Sequence, residues 1–503
     1  MNPGKLEREA KLAAWGGFHL PELDGVLDGV TARPLTERIL DATYYDTRDL
    51  RLARAGVSLR HRAGDDPPWT VKLPEGDRGP VMSRHEIPFE GPVGTIPPPA
   101  AALVRAYARS APLEAVARLK TRRTGVELVI DDAPVAEVVD DEVSVYHGRR
   151  LASRFREVEV EVEAEAPGDL MDAVVDRLRQ AGAGEPDGTP KVVRALGPRA
   201  LAPPDLARVP VGPGSSMADV VRAALMSGAA RMVANDPGVR LGEDPEDVHQ
   251  ARVGTRRLRS DLRTFRPLLD ADWVAGLRAE AGWFAGLLGV VRDAEVLMER
   301  LEGQARQLAP EDAAGVEAVV ARLAGEREAG RDRLLDAMSS SRYLELLDRL
   351  TAAAAQPAFP DPGLAHQPAA EVLAGLVRRP WRRLRRAVRA LPPVPADEEL
   401  HAVRILAKHS RYAAEAAAGV MGKRASAFAA AVAGVQTVLG DHQDACVTEA
   451  WLRDHLPETA SAREAMLVGQ LIGLQRAEAA ARRAGWPAAW RRADERRLRT
   501  WLE

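Results

Sequence analysis

Two rhythms of hydrophobic and polar positions divide the chain. Up to about residue 198 the period is two. Short runs such as "LEREAKLAA" (6–14), "SLRHRA" (58–63), "WTVKLP" (69–74), "SRHEIPFE" (83–90), "PVAEVVDDEVSVY" (134–146) and "REVEVEVEAE" (156–165) alternate charged and apolar residues between turn signals. That pattern predicts strands with one charged and one apolar face. One stretch, "LMDAVVDRLRQAG" (170–182), reads instead as a helix ended by glycine. The Pro- and Gly-rich segment "LGPRALAPPDLARVPVGPGSS" (196–216) then reads as a linker. Beyond it almost everything has helical spacing, broken near 236–246, 309–311, 356–368 and 392–397. The expected organisation is a β domain over 1–198, a linker over 199–216 and a helical domain over 217–503.

The helical half carries its charge in stripes. On a helix of 248–269, His249, Arg252, Arg256, Arg259, Arg263 and Arg266 share an arc of roughly 100°, with Arg257 beside them and Leu258, Leu262 and Phe265 on another face. The spacing i, i+3, i+7, i+10 recurs in His401, Arg404, Lys408 and Arg411. Downstream, "LLGVVRDAEV" (287–296) is echoed by "VLGDHQDACV" (438–447). Histidine to glycine spans 40 residues in the first copy and 39 in the second. An internal duplication of this half follows. A third stripe, Arg378, Arg382, Arg385 and Arg389, lies in "RRPWRRLRRAVR", which holds seven arginines and no acid. Solvated helix faces normally interleave acids with bases. These stripes hardly do, so they repel themselves unless a polyanion is bound.

In the β half, same-face charges cluster by sign. Glu7, Glu9 and Lys11 share one strand face, as do Arg60 with Arg62, Arg84 with Glu86, and Lys120 with Arg122. Acidic faces are formed by Glu137 with Asp141 and by Glu157, Glu159 and Glu161; Lys72 and Lys191 add cations. A sheet with one solvated side would alternate in the same way. A closed barrel with a charged interior would additionally place bases and acids around one anion and one metal.

Bulk composition limits the alternatives. The net charge of −3 over 503 residues excludes a generally basic nucleic-acid binder, so electrostatic function has to come from local segregation. Aromatics are scarce among the stripes, with Trp381 and Tyr412 the exceptions, which argues against base stacking. A single cysteine, Cys446, fits a reducing, cytoplasmic setting. The charged start "MNPGKLEREAK" has no secretory pattern. No run approaches the roughly 20 apolar residues of a membrane span, so no membrane partner is expected.

Residues "VHQARVGTRRLRSDLRTF", "LGVVRDAEV", "LHAVRILAKHSRY" and "LGDHQDACV" resemble the CHAD domain, over roughly 217–503. The resemblance implies two pseudo-symmetric four-helix bundles and a groove for inorganic polyphosphate, lined by the three stripes. Lys408 stands where arginine is usual, which keeps the charge but loses the bidentate fork. The ordered β-half motifs, with "TYYDTRDLRLARAGVSLRHR", resemble the CYTH or triphosphate tunnel metalloenzyme family over about 4–198. That resemblance implies an eight-stranded antiparallel tunnel. In it Lys11, Arg60, Arg62, Lys72, Arg84, Lys120, Arg122 and Lys191 would cradle a triphosphate. Glu7, Glu9, Asp141, Glu157, Glu159 and Glu161 would hold Mg²⁺ or Mn²⁺. The expected activity is hydrolysis of tripolyphosphate, with long-chain polyphosphate or its granules as a partner. Adenylyl cyclase, thiamine triphosphatase and non-catalytic polyphosphate sensing are the alternatives.

Overall fold

A computed structural model describes residues 5–74, 82–163, 165–458 and 460–503. The chain divides into two compact units, Met1–Asp205 and Leu206–Glu503. The division falls inside the segment expected to be a linker, but that segment is not free. Asp205 takes ion pairs from Arg54 at 2.9 Å, from Arg51 at 3.7 Å and from Arg109, which fasten the first half of the segment to the first unit. Val211, further on, lies against Gly419 in the second unit.

The first unit has strands β1 (Lys5–Ala14), β2 (Thr31–Pro34), β3 (Arg38–Asp46), β4 (Ser58–Ala63), β5 (Trp69–Pro74), β6 (Met82–Phe89), β7 (Glu114–Ile130), β8 (Ala133–His147) and β9 (Arg150–Val162). Helices α1 (Arg51–Arg54), α2 (Pro98–Ala108), α3 (Leu170–Gln180) and α4 (Lys191–Leu196) complete it. All pairings are antiparallel, in the order β7-β3-β4-β5-β6-β1-β9-β8, and β8 pairs back onto β7. Eight strands therefore close a ring, as expected, and closure leaves that ring without edges. The short β2 is the ninth strand, paired to the far end of the long β7.

Alternation along each strand sorts residues to the two sides of the wall. Outward from β1, β8 and β9 point Ala10, Leu12, Val138, Val158 and Val160. They form a core with Leu170, Val174 and Leu178 of α3. The inward face is not uniformly charged. Ala42, Tyr44, Ala117, Leu119, Val143 and Val145 form a second core with Val192 and Val193 of α4. This short helix stops one end of the barrel with apolar side chains and carries Lys191 at its first position.

The second unit is all helical: α5 (Met217–Leu241), α6 (Pro245–Phe265), α7 (Ala271–Ala305), α8 (Pro310–Ser339), α9 (Ser341–Ala355), α10 (Pro362–His366), α11 (Ala369–Arg389), α12 (Asp397–Met421), α13 (Lys423–Asp454) and α14 (Ala462–Ala493). Consecutive packing of α5 to α8 and of α11 to α14 gives two four-helix sets, with α9 added against α5 in the first. The duplicated motifs occupy matching helices, α6 with α12 and α7 with α13. The two sets meet where α6 packs on α12. They meet again in a core shared by Leu297, Leu301, Val316 and Val319 with Leu452, Leu467 and Leu471. Leu258, Leu262 and Phe265 are fully buried, which fixes the outward direction of the α6 arginines. By length and composition alone α7 could cross a bilayer, with one 18-residue window of mean hydropathy 1.3. In the unit its Leu277, Ala281, Phe284 and Leu288 are buried among the neighbouring helices.

Candidate functional site: a charged barrel and a basic groove

The barrel encloses a cavity of 140 Å³. Seven cations line it, Lys11, Arg60, Arg62, Lys72, Arg84, Arg123 and Lys191, against five carboxylates, Glu9, Glu86, Asp141, Glu159 and Glu161. The two signs are segregated. On β4, β5 and β6, Glu86 receives Arg60 at 3.1 Å and Lys72 at 2.5 Å. On β1, β8 and β9 the acids dominate. Lys191 reaches into them, 2.7 Å from Asp141, 2.5 Å from Glu159 and 3.1 Å from Glu157. Lys11 pairs with Glu9 at 2.7 Å and also with Glu159.

This density of charge shows in the titration of the groups. Burial would raise the Glu159 carboxyl, but Lys11, Lys191 and Arg123 hold it well below the ordinary carboxylate range. Glu157, also enclosed, is pushed up by burial more than Lys191 draws it down. The Lys191 ammonium is held above its ordinary value because the neighbouring carboxylates outweigh its burial. Lys191→Met would remove the one counter-charge among the described residues that is paired with Asp141, Glu157 and Glu159 together. We expect a loss of about 3 kcal/mol, the scale for breaking a buried pair, seen as a lower urea midpoint of the barrel. Added Mg²⁺ should recover part of it by restoring positive charge.

Most expected tunnel residues meet in this cavity; some do not. Lys120 and Arg122 point outward, about half exposed, and pair with Asp41 at 3.8 Å and Glu37 at 2.8 Å. The inward positions of β7 are Thr121 and Arg123. The reason is the α4 plug, which requires apolar Ala117 and Leu119 on the inner face and so fixes the parity of the strand. Arg123 stands inward in their place, bidentate to Asp141 at 2.7 and 2.9 Å and 2.9 Å from Glu159. Asp141 faces inward, while Asp140 faces outward to Arg156 at 2.6 Å. Glu157 lies behind Lys191 rather than on the cavity surface. The backbone of Glu7 pairs with Arg84, and its side chain lies outside the described residues.

The acids are the donor type that a hard divalent cation takes. Carboxylate oxygens of Glu9, Asp141, Glu159 and Glu161 line one cavity, and Glu9 Oε1 is buried without a hydrogen bond.

The second unit has a groove between α6 and α12. Its 440 Å³ cavity is lined by Arg252, Arg256, Arg259, Arg263, Arg404 and Lys408, joined by Arg278 of α7 and by His409. A neighbouring 270 Å³ cavity shares Arg263 and His409 and adds Arg266, Arg379 and Arg383. No carboxylate among the described residues lines either. The Nε atoms of Arg256 and Arg404 are buried and make no hydrogen bond. Such donors are costly to leave unmade and suit an anionic ligand.

Several stripe residues lie elsewhere. Arg257 and Arg411 are held by Glu415, which Arg411 meets at 2.6 Å, and both approach the Tyr412 ring. On α11, burial of Leu373, Leu376, Trp381 and Leu384 turns Arg379 and Arg383 to the groove. Arg378 instead donates to the Glu503 carbonyl at 3.3 Å and Arg385 pairs with Asp494 at 2.9 Å; Arg382 and Arg389 are exposed. His249 and His401 stand at the starts of α6 and α12 outside the cavity, with His401 Nδ1 2.7 Å from Gln443 Oε1. Trp381 and Tyr412 are both buried and offer no stacking platform.

Crowding depresses the basic groups. Burial and the guanidinium groups of Arg404, Arg256 and Arg252 push the Lys408 ammonium down to about 8, against a smaller pull from Asp444. Burial, Arg263 and Lys408 push His409 down to about 4, so it stays neutral and accepts an N–H from Arg263. A bound polyanion raises the Lys408 value. Binding near pH 8 should therefore take up a proton, and affinity should fall as pH rises from about 7 to 9. Calorimetry in buffers of different ionisation enthalpy measures that proton directly.

The comparisons agree with this division. A model described as CYTH domain matches residues 5–193, and one described as CHAD domain matches residues 223–453. Uncharacterised proteins from two strains of Mycobacterium tuberculosis are 32% identical over 485 residues, covering 91% of this chain and 89% of theirs. Among solved structures, PptA from Streptomyces chartreusis matches with 27% identity and a TM-score of 0.46, over 55% of this chain and all of that one. The CHAD domain from the plant Ricinus communis matches with 25% identity and a TM-score of 0.46, over 57% of this chain and 95% of that one.

Proposed function

Because the chain belongs to the CYTH family through its first unit and to the CHAD family through its second, we propose that it is an inorganic triphosphatase joined to a polyphosphate-binding module. CYTH enzymes act on triphosphates with divalent cations, and CHAD domains are associated with polyphosphate. The finer reading rests on one observation: cations on one wall of a closed barrel face carboxylates on the other. Tripolyphosphate needs only that.

In this reading Arg60, Arg62, Lys72, Arg84 and Arg123 hold the phosphate oxygens and offset the charge that builds on the leaving group. Glu9, Asp141, Glu159 and Glu161 would hold Mg²⁺ or Mn²⁺, which supplies charge neutralisation and an activated water. Lys11 holds Glu9 ionised and, with Lys191, Glu159 as well. The groove of the second unit would hold long-chain polyphosphate and place the protein on cytoplasmic polyphosphate granules.

The test is phosphate release from tripolyphosphate, ATP and thiamine triphosphate, each with Mg²⁺, Mn²⁺ or EDTA. Metal-dependent release favouring tripolyphosphate is expected. A preference for ATP or thiamine triphosphate would replace this reading with a nucleotide or thiamine enzyme. No release with any substrate would leave polyphosphate binding as the function.

A further inference from the structure

The duplication of the helical unit is broken at one place. His442 on α13 is fully buried, with 1% of its surface exposed. The matching position of the first copy, counted from the shared Leu-Gly and Asp-Ala landmarks, is Val291 on α7, which is equally buried. One turn on, Cys446 matches Glu295. The residue four before the stripe histidine, Asp397, matches Pro245. Three apolar or unrelated positions of one copy have thus become aspartate, histidine and cysteine in the other, and the fold brings those three together.

Their donor atoms all lie within 4.8 Å of one another. His442 and Cys446 are spaced i, i+4 on α13, which places two donors on one helix face. Asp397, at the first position of α12, approaches from the side. Its Oδ1 is 3.0 Å from the buried His442 Nε2. Cys446 Sγ is 4.0 Å from His442 Nδ1. Burying an imidazole where the sister copy buries valine costs stability unless its nitrogens are satisfied. Here the ring nitrogens face a carboxylate and a thiol.

We propose that Asp397, His442 and Cys446 bind one divalent cation of borderline softness, Zn²⁺ by preference. A thiolate, an imidazole and a carboxylate are the donors that zinc takes, and hard cations avoid sulfur. The carboxylate is about half exposed, which leaves a fourth position for water. Arg483 pairs with Asp397 and orients it from outside the donor set. The ion would clamp the start of α12, the helix that carries Arg404 and Lys408, to the middle of α13.

Cobalt(II) titration of the full chain tests this independently of the barrel, because a thiolate band needs a cysteine and Cys446 is the only one in the sequence. The expected result is a thiolate-to-cobalt charge-transfer band in the near ultraviolet, saturating at one equivalent and extinguished by Zn²⁺. Cys446→Ser should abolish it. His442→Val, the residue of the sister copy, should abolish it too, with the helical circular dichroism retained. Absence of the band in the unmodified chain would overturn the proposal and leave a metal-free Cys–His–Asp cluster. A band that persists in His442→Val would overturn the assigned donor set.

Discussion

Glu9→Gln should lower phosphate release from tripolyphosphate by at least about a hundredfold, the scale for losing one preorganised electrostatic contact. Glu9 is buried and lines the barrel cavity, and its Oε1 makes no hydrogen bond. Glutamine has the same shape but no charge, so what is lost is the hold on a divalent cation. Lys11 keeps Glu159 as a partner, which should preserve the wall. The barrel should therefore melt within a few degrees of the parent while turnover collapses. Raising Mg²⁺ or Mn²⁺ should return part of the activity. An unchanged rate would remove Glu9 from the machinery and the metal reading with it.

The double replacement of Arg256 and Arg404 by alanine should weaken polyphosphate binding by about a hundredfold at low salt. Each charged contact is worth at least roughly 1.5 kcal/mol, and the two lie on opposite walls of the groove. The salt dependence should also flatten by about two counter-ions, as it does for other polyelectrolyte sites. The sign of the stability change separates this from damage to the fold. Removing two self-repelling guanidinium groups with orphaned Nε atoms should leave the unliganded unit as stable as before, or more so. Weak binding together with a lowered melting temperature would point to a structural role instead. Tripolyphosphate hydrolysis in the barrel should be unaffected.

Much of this was legible in the chain. The period of two located the barrel strands, and the two histidine–arginine stripes exposed the duplication. What escaped was the facing of particular residues where charge occurs on both parities. In "RLKTRRTG" arginine or lysine stands at 118, 120, 122 and 123. Charge alone therefore could not say which face looks inward. The deciding signal was apolar: Ala117 and Leu119 must meet α4, and that carries Thr121 and Arg123 inward with them. Reading the interior as wholly charged missed this. On α11 the same difficulty arose with seven arginines in twelve residues, where the buried Leu376, Trp381 and Leu384 set the facing. Arg278 and His409 reach the groove from outside the stripes; proximity in the folded unit, rather than spacing, places them there.

The apolar stopper formed by Val192 and Val193 makes the barrel a blind sleeve rather than a conduit. A blind sleeve measures a polymer from its tip. On the proposed triphosphatase reading, a chain would enter end first and back out by the way it came, so its reactive bond would lie at a fixed depth from the terminus. Rings of phosphate, which have no tip, would be refused whatever their charge. Linear chains would be shortened from their ends, and their interiors would stay beyond reach.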